Sequence, residues 1–362
     1  MRLLFRTALA PGAPGLHHYE YVFPDRGMDV YDLDHGFRLV ERWSIPEAHG
    51  YRGVAVSPAT RMLYLSVGGN GGSSGHGSLI AISLRRNRIL WERAFPTGTD
   101  SPAITPDGRR LFLPTGERTF DDVWYVVDAR TGEVTGEIDA GPGPHNTIVS
   151  PDGRRVYLGP RNSRYFYVAS TTTDRIVRRI GPLIPGVRPF TINGAQTLAY
   201  TTATGFLGFQ VSSIRSGRVL YTVRIAGFRD PHPGGTPSHG ISLSPDSREL
   251  YVIDVPNSYV HVFDVSRTPA QRPRQIANIA LRHSMKGRES PCGGDCGRAG
   301  WLQGSLDGRY VFVGDSGDVI GTRTRRVVAF LPALRNSRYL FELVWRGAVP
   351  VRTSTRSGIG YP

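Results

Sequence analysis

One phrase returns along the chain, and it limits what the chain can fold into. It reads VAVSPATRMLYLS at 54–66, PAITPDGRRLFLP at 102–114, TIVSPDGRRVYLG at 147–159, ISLSPDSRELYVI at 241–253 and GSLDGRYVFVG at 304–314. A weaker copy, FTINGAQTLAYTT, occupies 190–202. Aligned on the turn residues Pro58, Pro106, Pro151, Asn193, Pro245 and Leu306, the copies are spaced by 48, 45, 42, 52 and 61 residues. A period of roughly 40–50 with several short strands per unit is the signature of a propeller blade. Each unit has an apolar strand, an Asp-Gly-type turn, an alternating strand such as RRVYLG, and two further strands joined by Thr-Gly or Ser-Gly turns. The pattern predicts an all-β, seven-bladed β-propeller of four-stranded antiparallel blades.

Six full units are visible. The N-terminal segments 19–23, 28–34 and 37–45 read as strands two to four of a seventh. Its inner strand is expected from the C-terminal tail, around 349–358. Blade 7 is then shared between about 16–46 and 338–360, and strands from both termini close the ring. Closure removes the sheet edges that would otherwise pair with other chains. Residues 1–362 make one domain on this reading.

The segments SPDGRRVYLG and SPDSRELYVI, with the DARTGEV and SIRSGRV turns, resemble the YVTN or YncE-like repeat propellers. The resemblance covers nearly the whole chain. It implies the fold and leaves function open, since such propellers include surface proteins, redox-enzyme subunits, lyases and lactonase-like enzymes.

The net charge is +14 and the isoelectric point about 10.2. Of 44 basic residues only Lys286 is a lysine, and the arginines are spread over every unit, many in turns such as Arg109, Arg110, Arg154 and Arg155. An even spread reads as solvated blade surface rather than a nucleic-acid groove, and leaves room for an anionic small-molecule ligand. No apolar run approaches the ~18 residues of a membrane span. The opening MRLLFRTALAPGAPG is interrupted by Arg6 and carries no clear signal peptide, which makes the cytoplasm the default location. Cys292 and Cys296 form a CxxxC pair in which a disulfide, free thiols and a metal site all remain open. A disulfide would point to an extracytoplasmic location. A monomer is expected.

Candidate chemistry gathers where inner strands begin. His145 and His239 each lie six residues before their turn proline, and the same register gives Arg52 and Asp100. Arg188 is one residue later in the weak copy, the sixth copy offers Trp301, and His49 lies three residues before Arg52. Inner-strand starts face the channel mouth, so these residues should converge. His145, His239, His49 and Asp100 are the candidate ligands of a divalent metal ion, since imidazole and carboxylate suit zinc, iron or manganese. Glu117 and Asp254, in loops after second strands, are candidate bases, and Arg52 and Arg188 candidate clamps for a substrate carboxylate. Arg161 sits in the same class of loop. His76, His232 and His283 occupy longer connections on that face, whereas His261 alternates with valines as a packed residue would. Each also has a structural reading: a carboxylate caps loop amides, an imidazole meets a backbone carbonyl, an arginine covers surface.

Extra length falls at 228–240 and 282–300, on the histidine-bearing side. The GDSGD at 314–318 echoes a serine-protease signature without its histidine motif, and no CxxCH haem motif occurs. Together these features lead to a small-molecule site at the top of the channel, serving a metal-assisted lyase, lactonase or hydrolase. The alternative is a non-catalytic propeller that binds protein, peptide or glycan.

Overall fold

The computed structural model describes residues 15–230, 234–288 and 297–354. Four copies of the repeated phrase close their turn in the same way. In the third copy Ser150 Oγ donates to Asp152 Oδ1 at 2.6 Å, and the backbone amides of Arg154 and Arg155 donate to Asp152 and to Ser150 Oγ. Thr105 with Asp107, Ser244 with Asp246 and Ser305 with Asp307 repeat this small network. The short polar side chains satisfy the turn amides that no strand can reach. Gly153 follows at φ +70°, and Ser247 holds the equivalent place at φ +58°. The motif therefore encodes one hairpin turn, which joins the first two strands of a blade.

Seven antiparallel sheets result, six of four strands and one of four with a fifth strand added, arranged as a propeller ring. In the third, the strands Pro144–Val149, Arg155–Pro160, Phe166–Ser170 and Ile176–Ile180 run from inside to outside. The inner strand is wholly buried and the outermost mostly exposed. Inner strands of the other blades are Tyr51–Ser57, Ala103–Ile104, Val187–Ile192, Ile241–Leu243, Trp301–Gly304 and Leu340–Arg346. Apolar cores lie between successive blades, where the two faces of alternating strands meet. One joins Val54, Leu65 and Ile80 of blade 1 to Tyr21, Val30 and Leu343 of blade 7.

The last blade takes strands from both ends of the chain. Leu16–Val22 pairs with Leu340–Arg346 along seven residues, and Gly27–Asp32 and Arg38–Ser44 complete it. The tail segment expected as inner strand lies one place further in: Val349–Thr353 adds a fifth strand on the channel side of Leu340–Arg346. Cross-strand pairing in this blade sets Glu20 opposite Glu342, both fully buried. Among the described residues no helix is long and apolar enough to cross a membrane.

Candidate functional site

Each blade sends one side chain from the start of its inner strand toward a common ring. Blades 1 to 7 contribute Arg52, Asp100, His145, Arg188, His239, Trp301 and Arg338, all less than 10% exposed. Three of them sit on irregularities of the ladder. Pairing skips residue 52 between Tyr51 and Gly53, residue 145 between Pro144 and Asn146, and residues 188–189 between Val187 and Phe190. A bulge re-aims the side chain it carries away from the alternating pattern of its strand. Gly53 lets the first two blades approach here, since a Cβ on it would stand 2.5 Å from Pro102 and 2.6 Å from the Ser101 backbone.

The ring is tied by ion pairs. Arg52 Nη2 donates to Asp100 Oδ2 at 2.8 Å and to Glu117 Oε1 at 3.1 Å. Glu117 Oε2 accepts from Arg188 Nη1 at 3.0 Å and lies 3.1 Å from Arg161 Nη1. One carboxylate thus meets three guanidinium groups within 3.1 Å and a fourth, Arg118, at 3.9 Å. His145 Nδ1 is 3.1 Å from Asp100 Oδ1 and Nε2 is 3.9 Å from Glu117 Oε2, yet the ring is not aligned for a hydrogen bond to either. Nε and Nη1 of Arg52 are likewise buried without a hydrogen-bond partner. Four guanidinium groups (Arg52, Arg161, Arg188 and Arg338) and two imidazoles share this space with Asp100, Glu117 and Asp315. The balance of fixed charge is positive.

That environment sets the protonation states. Burial raises the Asp100 and Glu117 carboxyls, but His145 and Arg52 on both, and Arg188 and Arg161 on Glu117, outweigh it and hold them well below the usual carboxylate range. Burial pulls Arg188 down to about 10 despite the opposing Glu117 charge. Burial also drives His239 well below its ordinary value, helped by the positive charges of Arg338 and Arg188. Its Nδ1 faces the Gly300 carbonyl at 3.0 Å, and a carbonyl only accepts. Nδ1 therefore carries the proton, and Nε2 keeps its lone pair. The edge of Trp301 packs on this imidazole, with centroids 5.7 Å apart.

A glycine-rich loop covers the ion pairs. Gly71, at φ +66°, lies so close that a Cβ would stand 2.7 Å from Arg52 Nη2 and 3.1 Å from Glu117 Cγ. Its carbonyl accepts from the Arg118 amide at 2.7 Å. The GGNGGSSGHGS segment, glycine-rich without a phosphate-loop context, is thus a backbone lid.

Other candidates are placed elsewhere. His49 is half-exposed and contacts both oxygens of Asp25 at 3.1 Å. Asp254 is buried against Asn257, and its Oδ2 lies 3.2 Å from His261 Nε2. His283 pairs with Asp318 at 2.8 Å and stacks on Phe330. Ser316 donates to Asp318, not to a histidine base. His76 is exposed, and His232, Cys292 and Cys296 lie outside the described residues. The charge partners of Asp100 and Glu117 are arginines and His145, and no group of three or more His, Cys, Asp or Glu among the described residues is arranged to hold a metal ion. Arg338 escaped the sequence reading because the inner strand of blade 7 was sought too far along the tail.

No family model matches the chain, and no curated protein is similar to it in sequence. Among solved structures, the chain is similar to Kuenenia stuttgartiensis hydrazine synthase, with a TM-score of 0.57 at 17% identity, covering 84% of this chain and 97% of that one. It is also similar to dihydro-heme d1 dehydrogenase NirN in complex with DHE, with a TM-score of 0.61 at 13% identity over 93% of this chain and 72% of that one. At such identities the likeness is one of fold: a seven-bladed propeller shared with enzymes.

Proposed function

We propose that the ring at the channel mouth binds a small anionic molecule, with the guanidinium groups as its electrostatic cradle and His239 as a general base beside it. The observation that carries this reading is the surplus of buried positive charge: three arginines share Glu117, and Arg52 and His145 retain unused polar atoms. Guanidinium groups bind carboxylate and phosphate through paired hydrogen bonds. A neutral imidazole with its proton fixed on Nδ1 accepts a proton at Nε2, which suits lyase or hydrolase chemistry in which carbon or water gives one up.

The test is calorimetric titration with succinate, citrate and inorganic phosphate, each at constant ionic strength. At least one should bind the wild type at millimolar concentration or tighter. An Arg161→Met variant, changed at the most exposed arginine of the group, should bind it tenfold more weakly. Absence of binding by all three would overturn the reading. So would a stoichiometric divalent metal in the purified protein whose removal by chelator lowers the melting temperature, because that would return the site to a cation.

A further inference from the structure

The opposite end of the channel holds a second feature, separate from the ring. A cavity of about 660 Å³ lies among the Ser-Pro or Thr-Pro turns of blades 1 to 3 and the fifth strand of blade 7. Its walls include Val54, Val56, Ile104, Ile148, Phe341 and Val351. Ligand pockets commonly span about 300–1,000 Å³ and are mainly apolar with a few placed polar groups. Here the placed groups are Arg61 and Arg352. No aspartate or glutamate lines the cavity, and neither arginine forms an ion pair among the described residues. Serine and threonine hydroxyls supply the remaining polarity, as at Thr105 and Thr353.

We propose that this cavity binds a lipophilic acid, a molecule with an apolar chain or ring and one carboxylate. The apolar body would replace water along the valine and isoleucine walls, where removing apolar surface from water is favourable. The carboxylate would meet Arg61 and Arg352, whose positive charges have no acidic neighbour in the lining. The same walls disfavour a multiply charged anion, and the two guanidinium groups disfavour an amine. The site thus differs in ligand class from the ring, where guanidinium groups, carboxylates and imidazoles predominate.

Octanoate and octylammonium are the probes, titrated calorimetrically into the full chain. Octanoate should bind at least tenfold more tightly than octylammonium. Val351→Trp, on the edge strand, should fill the space and weaken octanoate at least tenfold while the melting temperature shows the variant folded. The double variant Arg61→Glu, Arg352→Glu should reverse the preference between the two probes. Arg161→Met, at the other mouth, should leave octanoate binding unchanged. Equal binding of the two probes, an unaffected Val351→Trp variant or loss of octanoate binding in Arg161→Met would each overturn the assignment. Octanoate binding seen only in a chain shortened after Ser354 would also overturn it, by giving the cavity to the chain's own end.

Discussion

The imidazoles of His145 and His239, from blades 3 and 5, stand with their centroids 6.3 Å apart and their planes tilted by 42°. Arg188 of blade 4 lies between them in the ring and adds its charge to the field on His239. The two histidines are not equivalent, although their repeats are. His145 faces carboxylates, whereas His239 faces a carbonyl, a tryptophan edge and cations.

This asymmetry has a pH signature. The folded protein holds His239 well below its ordinary value near 6.5, while the unfolded chain does not. As pH falls below about 6.5 the unfolded state takes up a proton that the native state refuses, so stability is lost on the acid side at up to ~1.4 kcal/mol per pH unit. His239→Asn keeps a donor toward Gly300 and removes the titration. Its melting temperature should fall less than that of the wild type between pH 7 and pH 5.5. Equal falls would show that His239 does not titrate as the geometry requires.

Glu117 is the hub of the arginines: its loss takes the carboxylate partner from Arg188 and Arg161 and leaves Arg52 with Asp100 alone. Breaking a buried pair costs about 3–5 kcal/mol, so Glu117→Gln should lower the unfolding free energy in urea by that order. Arg161, at 29% side-chain exposure, is solvated by comparison, and Arg161→Met should cost about 1 kcal/mol or less. The ordering matters more than the values: a Glu117→Gln variant milder than Arg161→Met would contradict the hub.

The facing pair Glu20 and Glu342 makes a second, opposite pH dependence. Glu342 is spoken for by His18 Nδ1 at 2.6 Å and by the Leu306 amide at 2.5 Å. Both oxygens of Glu20 are buried without a partner. Burial, and then the Glu342 charge, raise the Glu20 carboxyl well above its ordinary value. The native state therefore holds a proton that the unfolded chain releases near 4.3, and stability declines as pH rises from there toward the folded value. Glu20→Gln should flatten that decline and raise the melting temperature at pH 8 while changing little at pH 4. A variant less stable than wild type at pH 8 would rule out a protonated Glu20.

The architecture was legible because its signal is local. A Ser/Thr-Pro-Asp-Gly turn spends its own side chains on its own amides, so the sequence shows each hairpin without knowledge of the partner strand. Repetition then supplied the register that places Arg52, Asp100, His145, Arg188 and His239 at equivalent blade positions. Partners across blades were not legible. Nothing near Glu117 in sequence announces that Arg52 and Arg188 reach it, because those contacts depend on bulges at residues 52 and 188–189. Asp254 was read as facing the mouth, but its side chain is taken by His261 of the adjacent strand. His49 looked like a companion of Arg52, and three residues of offset sufficed to send it to Asp25 instead. The basal cavity gave no sign at all, since its walls are ordinary valines and isoleucines of strands that would be apolar in any blade.

The seven-residue pairing of Leu16–Val22 with Leu340–Arg346 has a consequence for biosynthesis. The contacting residues His18 and Glu342 are 324 positions apart, so a ribosome releases the first partner long before the second. Until then the early segment lacks the neighbour that covers its hydrogen-bonding edge, and the toroid stays an open crescent. Completion thus depends on distant parts of the polypeptide meeting, and the nascent chain carries an uncovered strand edge until the second partner has emerged.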